Sequence, residues 1–324
     1  MRILVTNDDG IDSEGIHELA RALAGTGHEI VVVAPSSDWS GAGAALGNLR
    51  PDSALGVASA RIPDGDGIEA WAFDGPPALC VVAGRLGAFG ELPDLVVSGI
   101  NAGANTGRAI LHSGTVGAAL AGQNFGVSGL AVSVDAAAGG GPGAEGWRWD
   151  TAASIAVETL PLVVDSPVGS VLNLNVPALD RDQVKGVRWT HLAPFGAVRA
   201  TVSSRDDQSL QWELTPTGYE PPEDTDQGAL QRGWASLTAL VGVAESWPAP
   251  PDSGVVGRHD DLDVADRPGS RAARGAPGAR RVARGHPRAP PPGRRLPLSR
   301  TSPDSGGPER QGVSLRTPRS AGGR

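Results

Sequence analysis

The chain has 324 residues, a formal net charge of -8 and 40% hydrophobic residues, which is enough for one large domain or two ordinary ones. Its single cysteine, Cys80, cannot form an internal disulfide, so the sequence excludes a disulfide-stapled scaffold and favours a reducing compartment. No apolar run approaches the ~20 residues of a membrane helix and the first residues do not resemble a signal peptide, so we expect a cytoplasmic protein without a membrane partner.

Charge and composition divide the chain near residue 247. Residues 248–324 contain 15 arginines, 7 acidic residues and 13 of the 27 prolines, but no aromatic residue. Such a segment cannot bury enough apolar surface to offset its ordering entropy, so we predict a disordered tail. An arginine-rich tail could bind nucleic acid or an acidic partner, but we favour a solvated extension. The preceding residues are expected to form a core, 1–185, and a β-rich arm, 186–247.

The first 35 residues predict a β-α-β unit. Apolar runs at residues 3–5 and 30–34 are typical of strands buried on both faces. Between them, apolar residues recur at helical spacing until two glycines end the helix: Ile16, Leu19, Ala20, Leu23, Gly25 and Gly27.

Strands and helices continue to alternate along the chain. We predict helices over residues 79–86, 116–123 and 151–164, strands over 95–97, 130–134 and 171–174, and a glycine-rich loop over 139–143. This alternation predicts an α/β fold with a doubly wound, mostly parallel, Rossmann-like sheet in three layers. The β signals and turns over residues 186–240 predict the arm, and the tail follows it.

Polar residues at the ends of the predicted strands are candidate functional residues, because ligands of an open α/β sheet bind there. Asp8 and Asp9 follow the first strand, and two adjacent carboxylates repel each other unless a divalent cation binds both. A turn or a cap for the next helix is the alternative explanation. The small, hydroxyl-rich segment 36–43, which includes Ser40, follows the second strand. Its glycine spacing does not match a dinucleotide fingerprint, which disfavours a nicotinamide dehydrogenase.

Two later segments add amides and hydroxyls to this set. Asn101 and Asn105 lie in a predicted glycine-spaced loop after the strand over 95–97. Ser113, Gly114 and Thr115 open the helix over 116–123, where hydroxyls and free N–H groups can hold a phosphate. A simple N-cap is the alternative for these residues. The convergence of all four segments on one sheet edge favours the phosphate site.

These motifs, in this order, resemble the SurE family, the survival-protein-type 5′/3′-nucleotidases. The resemblance covers residues 1–241. It is carried by MRILVTNDDGI at the start, Ser40-Gly41, DGPPALCV over 74–81, DLVVSGIN over 94–101 with Gly103 and Asn105, SGTVGAA over 113–119, LNLNVP over 172–177, and Thr225-Asp226 with Gly233 and 236–240.

The resemblance implies a metal-dependent phosphatase that hydrolyses nucleoside 5′- and 3′-monophosphates. One divalent cation, Mg²⁺ or Mn²⁺, would be held by oxygens of four residues, Asp8, Asp9, Ser40 and Asn101, and the phosphate would face Asn105, Ser113, Gly114 and Thr115. The residues assigned to the cation are all oxygen donors, which suit Mg²⁺ or Mn²⁺ and suit zinc poorly. Asp8 and Asp9 are also the candidate catalytic residues, with the nucleophile left open between them. The family's hairpin and C-terminal arm exchange between subunits, which implies a homodimer or homotetramer.

The sequence departs from the family's usual residues at Trp39, His112 and Ala121, and these changes concern substrate preference. Two other functions stay open. The same fold and metal site could act on another phosphomonoester or polyphosphate, or the chain could be a non-catalytic nucleotide-binding protein or bind nucleic acid through its tail. The paired acids argue against a non-catalytic protein, because without a cation they repel a phosphate.

Overall fold

The structure is a computed structural model that describes residues 1–50, 52–135, 146–194, 198–206 and 208–244. The loop predicted over 139–143 and the tail predicted over 248–324 lie outside these residues. Within the described part of the chain there are five α-helices: α1 (Glu14–Ala24), α2 (Pro77–Arg85), α3 (Gly114–Asn124), α4 (Trp149–Val164) and α5 (Asp226–Gln231). A 3-10 helix, Gly107–His112, precedes α3.

The strands of the described residues form a nine-stranded sheet and a two-stranded sheet. They are β1 (Arg2–Thr6), β2 (Glu29–Pro35), β3 (Val57–Ser59), β4 (Glu69–Phe73), β5 (Leu95–Ala102), β6 (Ser128–Val134), β7 (Val171–Val176), β8 (Val187–Trp189), β9 (Val198–Arg205), β10 (Leu210–Pro216) and β11 (Ala235–Leu240). The large sheet has the order β3-β4-β2-β1-β5-β6-β7-β11-β8. Six neighbouring strands in this order are parallel: β4, β2, β1, β5, β6 and β7.

Two hydrophobic cores lie on opposite faces of this sheet. Ile3 and Val5 of β1 pack in one core with apolar residues of α1 and α4, whereas Leu4 packs in the other with residues of α2 and α3. Successive side chains of a strand point to opposite faces, so β1 is buried on both sides. This arrangement confirms the predicted three-layer, doubly wound α/β fold.

The strand over 95–97 extends further than its sequence predicts. β5 continues to Ala102, so Asn101 lies in a strand and the prediction of a loop there was wrong. Pairing with β6 shifts register between Ser98 and Asn101 and then resumes, with Asn101 opposite Ser133. Gly99 permits this close pairing, because a Cβ atom there would lie 2.2 Å from the carbonyl oxygen of Val132. Glycine weakens the sequence signal of a strand while marking a bulge or a close approach.

The segment after Gly186 contributes to both sheets. β8 and β11 join the edge of the large sheet, and β9 and β10 form the separate antiparallel hairpin. The segment also contains α5, which its β-rich sequence did not predict. The domain boundaries at 185 and 247 stay predictions. Among the described residues, none of the helices combines the length and apolar composition that a membrane span requires.

Candidate active site

The strand order places a switch point between β1 and β5. From β1 the chain moves to β2 and β4 on one side, and it then returns to β5, β6 and β7 on the other. The helices that follow β1 and β5 therefore leave on opposite faces and open a crevice at the carboxyl ends of these strands. Thr6 of β1 pairs with Ser98 of β5, so Asp8, two residues beyond Thr6, and Asn101, three residues beyond Ser98, lie at similar height along the two strands.

The turn after β1 is held by Asn7 and leaves both aspartates out of its hydrogen bonds. The Asn7 side chain accepts from the N–H of Gly10 at 3.2 Å and donates to the carbonyl of Gly10 and to the Ser13 hydroxyl. The N-cap position of α1 is Ser13, not an aspartate. Turn formation and helix capping therefore do not account for Asp8 and Asp9.

Asp8 lies against the N-terminus of α3. It is 3% exposed, and its Oδ1 accepts a hydrogen bond of 2.5 Å from the Thr115 hydroxyl. A Cβ atom on Gly114 would lie 2.7 Å from the Cβ of Asp8, so only glycine permits this approach. Burial raises the pKa of the Asp8 carboxyl, while the Thr115 hydroxyl and the backbone N–H groups of Gly114 and Thr115 act in the opposite direction.

Asp9 is half-buried and carries an oxygen that its protein environment does not satisfy. Burial, followed by the negative charges of Asp8 and Asp38, raises its pKa from 3.8 to about 7. Its Oδ2 is buried and has no hydrogen-bond partner among the described residues. A buried oxygen without a donor beside a second carboxylate is the arrangement that a cation stabilises.

Ser40 lies in a segment that folds back over the end of β1. The N–H of Trp39 donates to the carbonyl oxygen of Asp8 at 2.8 Å, and the N–H of Ser40 donates to Oδ1 of Asp38 at 2.7 Å. The N–H of Gly43 donates to the carbonyl of His112 and connects this segment to the residues before α3. The Ser40 side chain is exposed.

Asn101 lies just beyond the register shift in β5. Its Nδ2 donates to the carbonyl of Gly103 at 2.6 Å, which leaves its side-chain oxygen as the atom able to bind a cation. A bulge of this kind commonly redirects a side chain beside an active site.

Four residues on or just after β1, β2 and β5 carry side-chain oxygens at this end of the sheet: Asp8, Asp9, Ser40 and Asn101. Oxygen ligands suit Mg²⁺ or Mn²⁺, and the unsatisfied Oδ2 of Asp9 fits such a cation. Among the described residues, no group of three or more His, Cys, Asp or Glu side chains could hold a metal. A cation here would therefore need the hydroxyl and amide oxygens as well as the two carboxylates.

The residues predicted to bind phosphate meet at the start of α3. Ser113 is the N-cap, since its hydroxyl accepts from the N–H of Val116 at 3.1 Å. Thr115 does not cap the helix and binds Asp8 instead. The Nδ2 of Asn105 donates to the Ser133 hydroxyl at 2.9 Å and lies 3.5 Å from the Thr115 hydroxyl. Asn105, Thr115 and Asp8 therefore form one connected series of polar groups.

Sequence reasoning missed the polar residues that support this series. Ser133, Asn173 and Asn175 are fully buried, and all three bind Asn105. Buried Asp226 accepts from the N–H of Gly107 at 2.7 Å, in the same segment. For Asn173 and Asn175 the available signal was the alternation of asparagine with leucine over residues 172–175, because buried parallel strands are normally apolar throughout.

The residues that depart from the family pattern differ in their environment. The indole Nε1 of Trp39 is buried without a hydrogen-bond partner among the described residues. His112 is exposed, and Ala121 packs against the core beside α2. A surface cavity of about 400 Å³ lies elsewhere, at the amino-terminal start of β7, lined by residues that include Gln123, Val171 and Trp189. It is at the opposite end of the sheet from Asp8.

Comparison with known proteins supports the resemblance seen in the motifs. Residues 3–196 match the family described as Survival protein SurE. The 5′/3′-nucleotidase SurE of Erwinia tasmaniensis is 37% identical over 247 residues, covering 74% of this chain and 90% of the relative. The 5′-nucleotidase SurE of Chloroflexus aggregans is 40% identical over 249 residues, covering 74% and 92%.

A solved structure shows the same fold. The SurE protein from Aquifex aeolicus superposes with a TM-score of 0.60 at 32% identity, over 74% of this chain and 93% of that chain. The shared sequence spans the crevice between β1 and β5 and the start of α3. The family match and the solved fold agree with each other, and this chain belongs to the SurE family.

Proposed function

We propose that this chain is a divalent-metal-dependent phosphomonoesterase that hydrolyses nucleoside 5′- and 3′-monophosphates to nucleoside and phosphate. The observation that carries the proposal is the position of Asp8. Its carboxylate is held against the first turn of α3 by Thr115 and Gly114, beside the unsatisfied oxygen of Asp9. The names of the relatives from Erwinia tasmaniensis and Chloroflexus aggregans, both nucleotidases, support the substrate class.

Asp8, Asp9, Ser40 and Asn101 would hold the cation, which supplies Lewis-acid polarisation of a phosphoryl oxygen when bound. The side-chain amide of Asn105 and the Ser113 hydroxyl would face the other oxygens of the phosphate, while the N–H groups of Gly114 and Thr115 lie against the Asp8 carboxylate. Donors placed before the reaction stabilise the charge that develops on these oxygens as the ester bond breaks. Asp8 and Asp9 orient the water whose oxygen bonds to phosphorus as the bond to the nucleoside oxygen breaks, and the nucleoside oxygen takes up the proton that the water loses. In the alternative, one of these carboxylates attacks the phosphorus as the same bond breaks, and water then hydrolyses the acyl phosphate.

We also propose that the chain forms a homodimer or homotetramer. The hairpin of β9 and β10 supports this, because its strands pair only with each other among the described residues. Val202 and Trp212 are cross-strand partners, and they are 52% and 68% exposed. Exposed apolar pairs on the surface of a hairpin are typical of subunit contacts. Light scattering of the purified protein tests this, and a monomer at all concentrations would contradict it.

The enzymatic proposal is tested by phosphate release from a panel of substrates. The panel contains 5′- and 3′-nucleoside monophosphates, p-nitrophenyl phosphate and a short polyphosphate, each with Mg²⁺, Mn²⁺ or EDTA. We expect the nucleoside monophosphates to be hydrolysed in a metal-dependent manner. Full activity in EDTA would overturn the metal requirement, and turnover restricted to polyphosphate or to a non-nucleotide ester would overturn the substrate class.

A further inference from the structure

The backbone of Asn105 is held by the side chains of two buried asparagines in β7. The N–H of Asn105 donates to Oδ1 of Asn175 at 2.7 Å, and its carbonyl oxygen accepts from Nδ2 of Asn175 at 3.0 Å. Nδ2 of Asn173 donates to the same carbonyl at 2.9 Å. Both asparagines are 0% exposed. Two side chains thus satisfy both polar groups of one residue's backbone.

Packing of β7 does not account for these two amides. Leu172, Leu174 and Val176 point into the core that contains α1 and α4, whereas the asparagines point to the opposite face. Oδ1 of Asn173 has no hydrogen-bond partner among the described residues. A buried unsatisfied oxygen lowers stability, and apolar side chains of similar size would fill the same space without this cost. The amides are thus explained by what they bind, which is Asn105.

The asparagine pair determines where the Asn105 side chain lies. With its backbone held on β7, Asn105 directs its own amide to the Ser133 hydroxyl and towards Thr115, the residue that binds Asp8. Ser133 pairs with Asn175 across β6 and β7, so support for the backbone and for the side chain comes from adjacent positions. Asp226 holds Gly107 separately, two residues further along.

We propose that Asn175, assisted by Asn173, is a positioning residue that places the Asn105 amide against the phosphate of the substrate. This inference rests on the proposed function. Within the described part of the chain, the Asn175 side chain forms its hydrogen bonds with Asn105 and with none of the four residues assigned to the cation, so it acts on phosphate binding and not on the cation. Because Asp226 still anchors Gly107, loss of Asn175 displaces Asn105 locally without releasing the whole segment.

The experiment compares Asn175→Leu, Asn173→Leu and Asn175→Asp with Ser236→Ala as the control. Ser236 lies opposite Asn175 on β11, is equally buried, and its hydroxyl has no hydrogen-bond partner among the described residues. The measurements are kcat and KM for a nucleoside monophosphate, inhibition by inorganic phosphate, Mn²⁺ affinity, and hydrogen exchange of the amides in residues 103–107.

We expect Asn175→Leu to lower kcat/KM about 100-fold, as small misplacements of a binding group do, and to weaken phosphate inhibition. Mn²⁺ affinity should stay within about twofold, since a tenfold change would mean a separate 1.4 kcal/mol effect on the cation site. Asn173→Leu should have a smaller effect, because Asn175 still binds the carbonyl of Asn105. Asn175→Asp, which keeps the acceptor, should retain more activity than Asn175→Leu. Ser236→Ala should behave as the wild type.

Hydrogen exchange separates failure of this inference from failure of the proposed function. If the wild type hydrolyses no nucleotide, the proposed function fails, and hydrogen exchange at Asn105 still tests whether Asn175 holds the Asn105 backbone. Unchanged exchange and unchanged phosphate inhibition in a folded Asn175→Leu variant would overturn the positioning role. Equal losses in Ser236→Ala would also overturn it. If Asn175→Leu does not fold, Asn173→Leu and Asn175→Asp provide the same readouts, and wild-type values in both would overturn the inference.

Discussion

The Thr115 hydroxyl donates a hydrogen bond of 2.5 Å to Oδ1 of Asp8, which joins the first turn of α3 to the end of β1 across 107 residues of sequence. Thr115 is fully buried from solvent, with a relative exposure of 0%. Through this contact, Thr115 of the candidate phosphate site orients the Asp8 carboxylate of the candidate cation site. It therefore couples the two halves of the proposed mechanism.

Replacing Thr115 by alanine should reduce catalysis far more than stability. Ser113 is the cap of α3, so Thr115→Ala removes no capping interaction. It frees Asp8 to move and removes a polar group beside Asn105, and losing one such preorganised group typically costs ~100-fold in rate. Steady-state kinetics and a melting curve on the same preparation check this. Thr115→Ser keeps the hydroxyl and should recover most of the activity, whereas a loss of stability with normal kinetics would contradict the prediction.

Replacing Asp9 by asparagine should abolish most of the activity with the fold intact. The substitution removes a charge from the candidate cation site and changes little volume. We expect kcat to fall by orders of magnitude and the Mn²⁺ affinity to fall with it, as measured by kinetics and by calorimetric titration. Unchanged turnover at saturating Mn²⁺ would remove Asp9 from the proposed site. Asp38→Asn is a matched control, because Asp38 contributes charge nearby without being assigned to the cation.

Stability of the metal-free protein should decrease as the pH rises. Burial and the charges of Asp8 and Asp38 raise the pKa of Asp9 to about 7, so the folded state keeps a proton that the unfolded chain releases near 3.8. The Asp9 carboxyl therefore contributes most to the free energy of unfolding below pH 3.8, and this contribution is lost as the pH rises through about 7. Burial raises the pKa of Asp8 and acts in the same direction.

Melting curves in EDTA at pH 5 and pH 8 measure this effect. We expect a lower Tm at pH 8 and a smaller decrease in Asp9→Asn, which cannot titrate. Since cations bind deprotonated carboxylates, Mn²⁺ should stabilise the wild type more at pH 8 than at pH 5. An equal pH response in wild type and Asp9→Asn would show that this carboxyl does not control it.

Gly114→Ala tests the close approach of Asp8 to α3. Alanine in a helix is normally more stabilising than glycine, by up to ~1 kcal/mol. Here its Cβ atom would lie 2.7 Å from the Cβ and 2.8 Å from Oδ2 of Asp8, so one of them must move. We therefore expect lower stability and a large loss of kcat/KM, and a stabilised, fully active variant would contradict the geometry.

Deletion of residues 248–324 should leave the enzyme unchanged. The prediction rests on composition, because this segment has many arginines and prolines, no aromatic residue and no pattern that could form a core. The truncated and full-length proteins should have the same Tm and the same kcat with a nucleoside monophosphate. A marked loss of stability would mean that the tail packs on the rest of the protein.

The sequence alone predicted the α/β fold and most of its central elements, because buried parallel strands and amphipathic helices have strong local patterns. It did not predict β3 or α5, which are short, or β4, whose sequence EAWAF contains no β-branched residue, and it ended β5 too early at Val97. In β5 the local preference of Gly99 for loops is outweighed by pairing with β6, a contact between distant parts of the chain.

For the candidate site, the sequence by itself determined which polar groups are available, that Asp8 and Asp9 follow the end of a strand, and that Ser113, Gly114 and Thr115 open a helix. Tertiary structure decided which of them touch. Strand order places β1 beside β5 and so brings Asp8 to Thr115, and it places β7 where Asn175 can hold Asn105. Local patterns reflect a residue's near neighbours in the chain, whereas these contacts span 107 and 70 positions and depend on the packing of the whole sheet.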